Sequence, residues 1–453
     1  MENIKEKFDV IVVGAGPAGL FAVYELIKQN PKLKICLIEK GNRIKDRKKN
    51  EVMSGVGGAG TFSDGKLHFT PVLSHEKMLH LYSIQEYQKY LDYVDKIFTD
   101  FGVTAPYSPT KMDEVKKLVD ECTRNGIMLF IRRARHVGSD NLPKIIKKFE
   151  NHLIKNNVVL KTNTEVKDFI INNGICTGVK TNDGDIEGNY IIAAPGRINA
   201  RWMQKLAEKY KLGFTYEKVE IGVRVEFHAA IMKRHFDIMY ESIFLMHTPT
   251  FDDVVRTFCP CPNGLVAIEK YEDFVCVNGH SNSKRESENS NFALVTEVNL
   301  TEPVENTIKY GKSIAKLATT IGGGKPILQR LRDLRKGRRS TWQRINKSHI
   351  KPTLTDVTPG DISMALPSRV VTNILEGLDM LERVIPGINS DSTLLYAPEV
   401  KLRSSKIKTD KYLETNIKNL YVTGDGAGLS GNIVGAAATG IIAARGICNK
   451  INK

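Results

Sequence analysis

Two short stretches of this 453-residue sequence combine residue types and spacings that could do chemistry. The first is Gly14-Ala15-Gly16-Pro17-Ala18-Gly19, a G-x-G-x-x-G turn, with Glu39 standing 25 positions after Gly14. Gly14 permits a tight turn, Gly16 lets the backbone approach a pyrophosphate, and Gly19 allows close helix-to-strand packing. The helix that follows would present free N–H groups and a positive dipole end to the phosphates, and Glu39 would accept from ribose hydroxyls. The second stretch, Phe258-Cys259-Pro260-Cys261-Pro262, sets two thiols two positions apart, on one face if the chain is extended, with prolines stiffening the backbone. Such thiols could exchange electrons with a redox cofactor or attack a substrate carbon; alternatively they are two buried core cysteines. Glu399 in "YAPEVK" and Arg224, which interrupts an apolar strand in "GVRVEF", could serve as proton donor or anion clamp, or simply form salt bridges.

These side chains need elements to hold them. Phe8 to Val13 is an apolar, β-branched run with the composition of a buried parallel strand, Leu20 to Gln29 has helical spacing, and Ile35 to Ile38 is a second strand that delivers Glu39. The order strand, glycine turn, helix, strand, acid makes the fingerprint far more specific than the glycines alone. Residues 163–197 read as short strands punctuated by Asn-Gly and Asp-Gly turns, followed by an apolar strand, Tyr190 to Ala194, that closes on Pro195-Gly196-Arg197. Near the C-terminus Leu420 to Val422 form a strand, Gly424-Asp425 a turn, and Asn432 to Arg445 a helix of small residues. Asp425 at that strand end can accept from a ribityl hydroxyl. Because NAD has no ribityl chain, this second acid favours FAD, and a helix beginning near Gly431 can aim its N–H groups at a flavin pyrimidine edge.

The start, the Gly-Asp-Gly-Ala-Gly end and the loop "GGAGTFSDGKL" together resemble the FAD-dependent (NAD/FAD-utilising) dehydrogenases of the glutathione-reductase-type flavoprotein group. The resemblance covers nearly the whole chain, including "RHVGSDNLPKIIKKFENHL", "FCPCPNGLVA", "PGDISMALPSRVVTNIL" and "YAPEVKLRSSKI". It implies an α/β fold: a Rossmann-like FAD-binding domain with an inserted β-meander, plus a second α+β substrate or cap domain. It implies that Gly57 to Lys66 wrap the FAD pyrophosphate and reach the isoalloxazine, with Gly58, Ala59, Gly60, Thr61 and Ser63 lining it and Lys66 neutralising phosphate or reduced flavin. Lys40, Val166, Ala194, Gly196, Arg197, Gly424, Asn432 and Ile433 complete the implied cofactor set. The catalytic candidates are Cys259, Cys261 and Glu399, from the residue types and spacing above, and Lys66, from the resemblance. No second strand-GxGxxG-helix unit and no CxxC occur, a departure from two-dinucleotide disulfide reductases that leaves NAD(P)H as a transient donor only.

By segment, the FAD domain is expected at 1–70, 137–200 and 396–453, a helical insertion at 71–136 and the substrate domain at 201–395, with the cofactor at their seam. Residues 281–291, "SNSKRESENSN", read as a polar loop. A hydrophobic content of 41% with 26% charged residues excludes a disordered chain. The apolar stretches are broken by glycines and too short to span a bilayer, and seven scattered cysteines argue for free thiols, so a cytoplasmic location is expected. No Cys/His spacing suits a metal. The formal charge of +15 is mostly interleaved, except at 328–344, where seven basic residues meet one acid. The first reading is therefore an FAD-dependent oxidoreductase acting on a small-molecule or lipid substrate, with an electron-donor protein as a further partner and nucleic acid set aside. The alternatives are a flavin-dependent RNA-modifying enzyme using the basic segment, and a prenyl-lipid reductase with an apolar tunnel in residues 201–395.

Overall fold

A computed structural model describes residues 7–48, 53–63, 65–72, 76–138, 140–271, 273–280, 287–298, 300, 306–401 and 405–452. The chain forms two compact units, the first made of 1–107, 133–217 and 404–453, the second of 108–132 and 218–403.

The first unit is built on a seven-stranded sheet. Lys7–Val13 lies between Ile35–Ile38 and Gly184–Ala193, parallel to both, and Val159–Lys161 and Leu420–Val422 extend the parallel part on either side. Gly184–Ala193 does double duty: its first residues pair antiparallel with Ile175–Thr181, which pairs in turn with Val166–Asn172. That is the expected meander, grafted onto a strand of the parallel sheet. The centre of the parallel part, Val10 to Val13 with Ile35–Ile38 and Leu420–Val422, is buried and largely apolar, as both faces are covered. The first helix, Pro17–Gln29, begins with proline at its first turn, where the missing N–H is not needed, and packs on the last helix, Ile433–Ile451. The two approach closely because Gly440 has no side chain; a Cβ there would stand 2.0 Å from the Ala18 carbonyl.

The second unit carries an eight-stranded, largely antiparallel sheet in the order Thr358–Pro359, Ile327–Arg330, Leu394–Lys401, Val219–His228, Asn289–Val298, Val254–Cys261, Ile243–His247 and Met128–Phe130. A hairpin, Leu265–Lys270 with Val275–His280, and the helices Thr307–Ile321 and Ser368–Leu381 complete it.

Three expected boundaries move. The amphipathic helix Ile84–Asp100, assigned by sequence to an insertion apart from the FAD domain, places Tyr87, Leu91, Val94 and Phe98 in the first unit's core. Its neighbour Met112–Arg124 places Leu118 and Cys122 in the second unit's core. The strand Leu394–Lys401, all of it from residue 396 on assigned to the FAD segment, pairs with Val219–His228 and Ile327–Arg330 in the second unit. Of the expected loop at 281–291, residues 281–286 lie outside the described residues and Asn289–Asn291 open a strand.

Glu25 is fully buried on the first helix and ties three helices together: it accepts from Tyr93 Oη at 2.7 Å, Arg445 Nε at 2.7 Å and Gln29 Nε2 at 3.1 Å. Removing a buried carboxylate leaves the arginine uncompensated. Glu25→Ala is expected to lower the unfolding free energy by about 3 kcal/mol, read as a fall in the urea midpoint without a change in slope.

Candidate functional site

In the first unit the sequence-predicted residues converge on the carboxyl ends of the parallel strands. Gly14 N donates to Ile38 O, Ala194 N to Val13 O and Thr423 N to Ala193 O, so four strand ends are hydrogen-bonded side by side. The glycine turn is shaped by steric demand. Gly14 has φ +99°, and a Cβ on it would stand 2.2 Å from the Ala194 carbonyl oxygen; a Cβ on Gly19 would stand 1.9 Å from Gly14 O. Gly16 is different. Its φ of −73° suits any residue, and the nearest protein atom to a Cβ there is Gly58 Cα at 3.9 Å. Among the described residues no group fills that space. It lies at the N-cap of a helix that has no side-chain cap and no acid in its first turn, which fits a phosphate held by backbone N–H groups.

The glycine loop runs beside this turn. Gly57 N donates to Ala15 O at 2.8 Å, and Gly58 to Phe62, including Ala59, form one 3-10 turn. Gly58 is pressed against Gly16, and a Cβ on Gly60 would be 2.8 Å from Ile433 Cγ1 at the start of the last helix. That helix is capped by Asn432, whose Oδ1 accepts from Gly435 N at 2.8 Å, with the exposed Gly431 before it. Gly424 backs onto Ala18, whose Cβ lies 3.2 Å from where a Cβ on Gly424 would be. Lys66 opens the strand Lys66–His68 just past the loop and is 7% exposed.

Several side chains expected to face a cofactor are engaged within the protein. Glu39 is 6% exposed and accepts from three amides: Ala15 N through Oε2, and Gly41 N and Gly55 N through Oε1, each at 2.9 Å. Thr61 Oγ1 accepts from Arg47 Nη1 at 3.0 Å, and the Ser63 hydroxyl donates to Gly60 O at 2.7 Å. Asp425 accepts from Arg197 Nη2 at 3.2 Å and from the Ser430 hydroxyl. Lys40 Nζ donates to Asn199 Oδ1 at 3.0 Å. Val166 is buried two residues beyond Thr164, whose N–H donates to Glu39 O at 3.0 Å. Gly196, with φ +65°, has no atom within 4 Å of a Cβ position.

Sequence reasoning missed Arg47. This buried guanidinium donates to Val56 O at 2.8 Å and Gly58 O at 3.1 Å as well as to Thr61, and lies over the Phe62 ring at 4.8 Å. Gly55 makes room for it, since a Cβ there would be 2.6 Å from Arg47 Cδ. The signal was the excess of glycine before Gly58: part of what approaches that backbone is the protein itself.

The second unit brings together four candidates that the sequence left separate. Arg224, 0% exposed, donates from Nε to Asn291 Oδ1 at 2.8 Å, and from Nη2 to Cys259 O at 2.7 Å and Cys261 Sγ at 3.2 Å. Glu399 Oε2 lies 3.9 Å from Arg224 Nη1, while its Oε1 is 2.5 Å from Lys401 Nζ. The two cysteines are not a regular extended pair. Cys259 has φ +46°, and the pairing register shifts between Phe258 and Cys261, a bulge that aims the Cys259 carbonyl at Arg224.

The basic segment is largely spent on acids within the second unit. Arg330 and Arg338 pair with Asp333, Arg335 with Asp379, and Arg332 with Asp391. Burial alone would raise the Asp333 carboxyl, but hydrogen bonds from Arg330, Ser340 and Arg338 outweigh it and hold the group at about 2. Among the described residues no group of three His, Cys, Asp or Glu could hold a metal ion, and no helix is long and apolar enough to cross a membrane.

Comparison with known proteins gives two family matches. Residues 218–402 match the family described as FAD-dependent protein, C-terminal domain-like, and residues 1–44 match the Thi4 family. An uncharacterized protein of Clostridium beijerinckii (strain ATCC 51743 / NCIMB 8052) is 25% identical over 496 residues, spanning 100% of this chain and 82% of that protein. Similar solved structures include a quinol fumarate reductase variant from E. coli (TM-score 0.46, 14% identity, 99% of this chain and 71% of that one). Two others are glycine oxidase from Bacillus cereus ATCC 14579 (TM-score 0.38, 13% identity, 98% and 95%) and L-proline dehydrogenase from P. horikoshii (TM-score 0.41, 13% identity, 98% and 93%).

Two outcomes follow. Gly16→Ala meets no atom of the described residues closer than 3.9 Å, so it should change the cofactor-free protein's stability by less than about 0.5 kcal/mol while lowering FAD retention at least tenfold. Gly19→Ala should instead destabilise the fold itself; apoprotein melting and bound-flavin absorbance separate the two. For Asp333, a folded-state value below the ordinary 3.8 means the stabilisation is present above about pH 4 and is lost as pH falls towards about 2. Asp333→Asn should cost about 3 kcal/mol at pH 7, with the gap to wild type closing in urea titrations below pH 4.

Proposed function

We infer that the chain is an FAD-dependent oxidoreductase that passes a hydride or an electron pair between flavin N5 and a small organic substrate. The observation that carries this reading is the space over Gly16, open among the described residues, at an uncapped helix N-terminus beside the glycine loop and the ends of four parallel strands. A Cβ would occupy that space, a dinucleotide pyrophosphate suits it, and the family match of residues 218–402 is to FAD-dependent proteins.

FAD, when bound, supplies a two-electron acceptor that no side chain of this chain provides. The protein's share is binding and electrostatics. The turn at Gly14, Ala15, Gly16, Pro17, Ala18 and Gly19 holds the pyrophosphate through N–H groups. Glu39 keeps the neighbouring amides in place and offers its remaining lone pairs to ribose hydroxyls. Gly424, Asp425 and the capped helix from Ile433 serve the ribityl and ring end, and Arg197 yields Asp425 by swinging into solvent, where it is already mostly exposed. Lys66 sets a positive charge beside the loop. Cys259, Cys261 and Glu399 are the candidates for substrate chemistry in the second unit, and NADH or NADPH is the candidate donor. The ion-paired state of residues 330–338 gives the RNA-modifying alternative little free charge to work with.

The purified protein should show a flavin band near the visible blue that bleaches anaerobically with NADH, NADPH or a low-potential donor and returns when an oxidising substrate is added. A colourless protein that takes up no added FAD would overturn the cofactor assignment. A flavin band that no donor bleaches would overturn the oxidoreductase reading.

A further inference from the structure

We propose that Cys259 and Cys261 form a second redox site, a dithiol that closes to an intrastrand disulfide by exchange with a low-molecular-mass disulfide, Cys259 entering the exchange and Cys261 resolving it. This chemistry goes beyond the flavin reading and does not depend on it.

The backbone brings the two thiols together. Residues two apart on a regular strand stand about 6.6 Å from each other, and a disulfide joins Cα atoms roughly 4.4–6.8 Å apart, so an undistorted strand would hold such a pair at the edge of reach. This strand is distorted at the first of the two cysteines: Cys259 has φ +46°, and the pairing register shifts between Phe258 and Cys261. A bulge of this kind bends its strand locally. The Cys261 thiol folds back onto its neighbour and donates to the Cys259 carbonyl, with Sγ 3.6 Å from the oxygen. Both side chains also meet one guanidinium. Cys261 Sγ lies 3.2 Å from Arg224 Nη2, and the Cys259 side chain hydrogen-bonds the same arginine. Gly279 leaves room for this, since a Cβ there would stand 2.6 Å from Cys261 Sγ.

The two thiols differ in access, which divides their roles. Cys259 is partly exposed, whereas Cys261 is 1% exposed. A disulfide arriving from solvent therefore meets Cys259 first, beside a cation that favours its thiolate. Four other cysteines make the contrast: burial pushes the thiols of Cys122 and Cys448 up to about 11 and those of Cys176 and Cys276 up to about 12. With glutathione disulfide as the oxidant, the Cys259 thiolate attacks one of its sulfurs, forming a mixed disulfide and releasing one glutathione thiolate. The Cys261 sulfur then attacks Cys259 Sγ, gives up its proton to solvent, and releases the second glutathione. Two protein thiols are oxidised by two electrons, and one disulfide is reduced to two thiols.

The test is an anaerobic titration of the full-length protein with mixtures of reduced and oxidised glutathione, quenched in denaturant with an alkylating reagent and read by peptide mass. In excess oxidised glutathione the wild-type peptide carrying both cysteines should be lighter by two hydrogens and take up no alkyl group, and excess reduced glutathione should reverse this. Cys261→Ser should stop at the mixed disulfide, with one glutathione on Cys259, and Cys259→Ser should leave Cys261 reduced. The proposal is overturned if wild type keeps both cysteines alkylatable, if it accumulates glutathione on Cys259 without closing the ring, or if Cys261 is found joined to Cys276 instead. The wild-type masses decide alone if a variant does not fold. Flavin absorbance, recorded on the same samples, tests the cofactor reading separately.

Discussion

The first unit depends on one carboxylate. Glu39 ends the second strand, and its two oxygens collect the amides of Ala15 in the glycine turn, Gly41 just after the strand and Gly55 at the mouth of the glycine loop. Charge-assisted hydrogen bonds of this kind are worth about 1.5–3 kcal/mol each when buried, so one side chain fixes the relative position of segments 40 residues apart. The turn is thereby preorganised. Its N–H groups are aimed before a ligand arrives, and no binding energy is consumed in ordering them. Glu39 thus has two compatible uses, because a carboxylate has about four lone-pair sites and the amides occupy three.

Arg47 is the complement of Glu39. Where the carboxylate gathers N–H donors, the guanidinium gathers the carbonyls of Val56 and Gly58 together with the Thr61 hydroxyl. A loop with this much glycine loses more conformational entropy on folding than any other sequence of its length. Two buried charged side chains, one for each kind of backbone group, are what keep it in a single shape. This also explains why Thr61 and Ser63 turn inward: their hydroxyls finish the loop's own hydrogen bonds.

How much of this was legible in the sequence follows from range. The strand, turn, helix, strand and acid at 7–39 are read from local period and composition, and the structure keeps Ile35–Ile38 to the residue. The domain bounds were not legible, because the amphipathic faces of Ile84–Asp100 and Met112–Arg124 look alike whichever core they enter. Arg47 sat in a basic run that resembles a solvated face. Arg224, Cys259, Cys261 and Glu399 could each be noticed, but their meeting is set by the register of three adjacent strand pairings, which residues up to 175 positions apart must satisfy together. Register is the one property of a sheet that its sequence specifies only through the whole.

The two units solve opposite electrostatic problems. The first unit gathers oriented dipoles at one end of its parallel sheet, a helix N-terminus and the amides that Glu39 keeps aligned. The second unit takes a full cation, Arg224, out of solvent, with Glu399 at 3.9 Å and Lys401 beside that carboxylate. The cost of burying it is met by an eight-stranded sheet and two helices packed over one core. Gly279 is part of that arrangement, since a Cβ there would stand 1.7 Å from Arg224 Nη2 and 2.6 Å from Cys261 Sγ. A glycine within a strand, normally a weakness, is here the residue that leaves room for a buried guanidinium beside a sulfur.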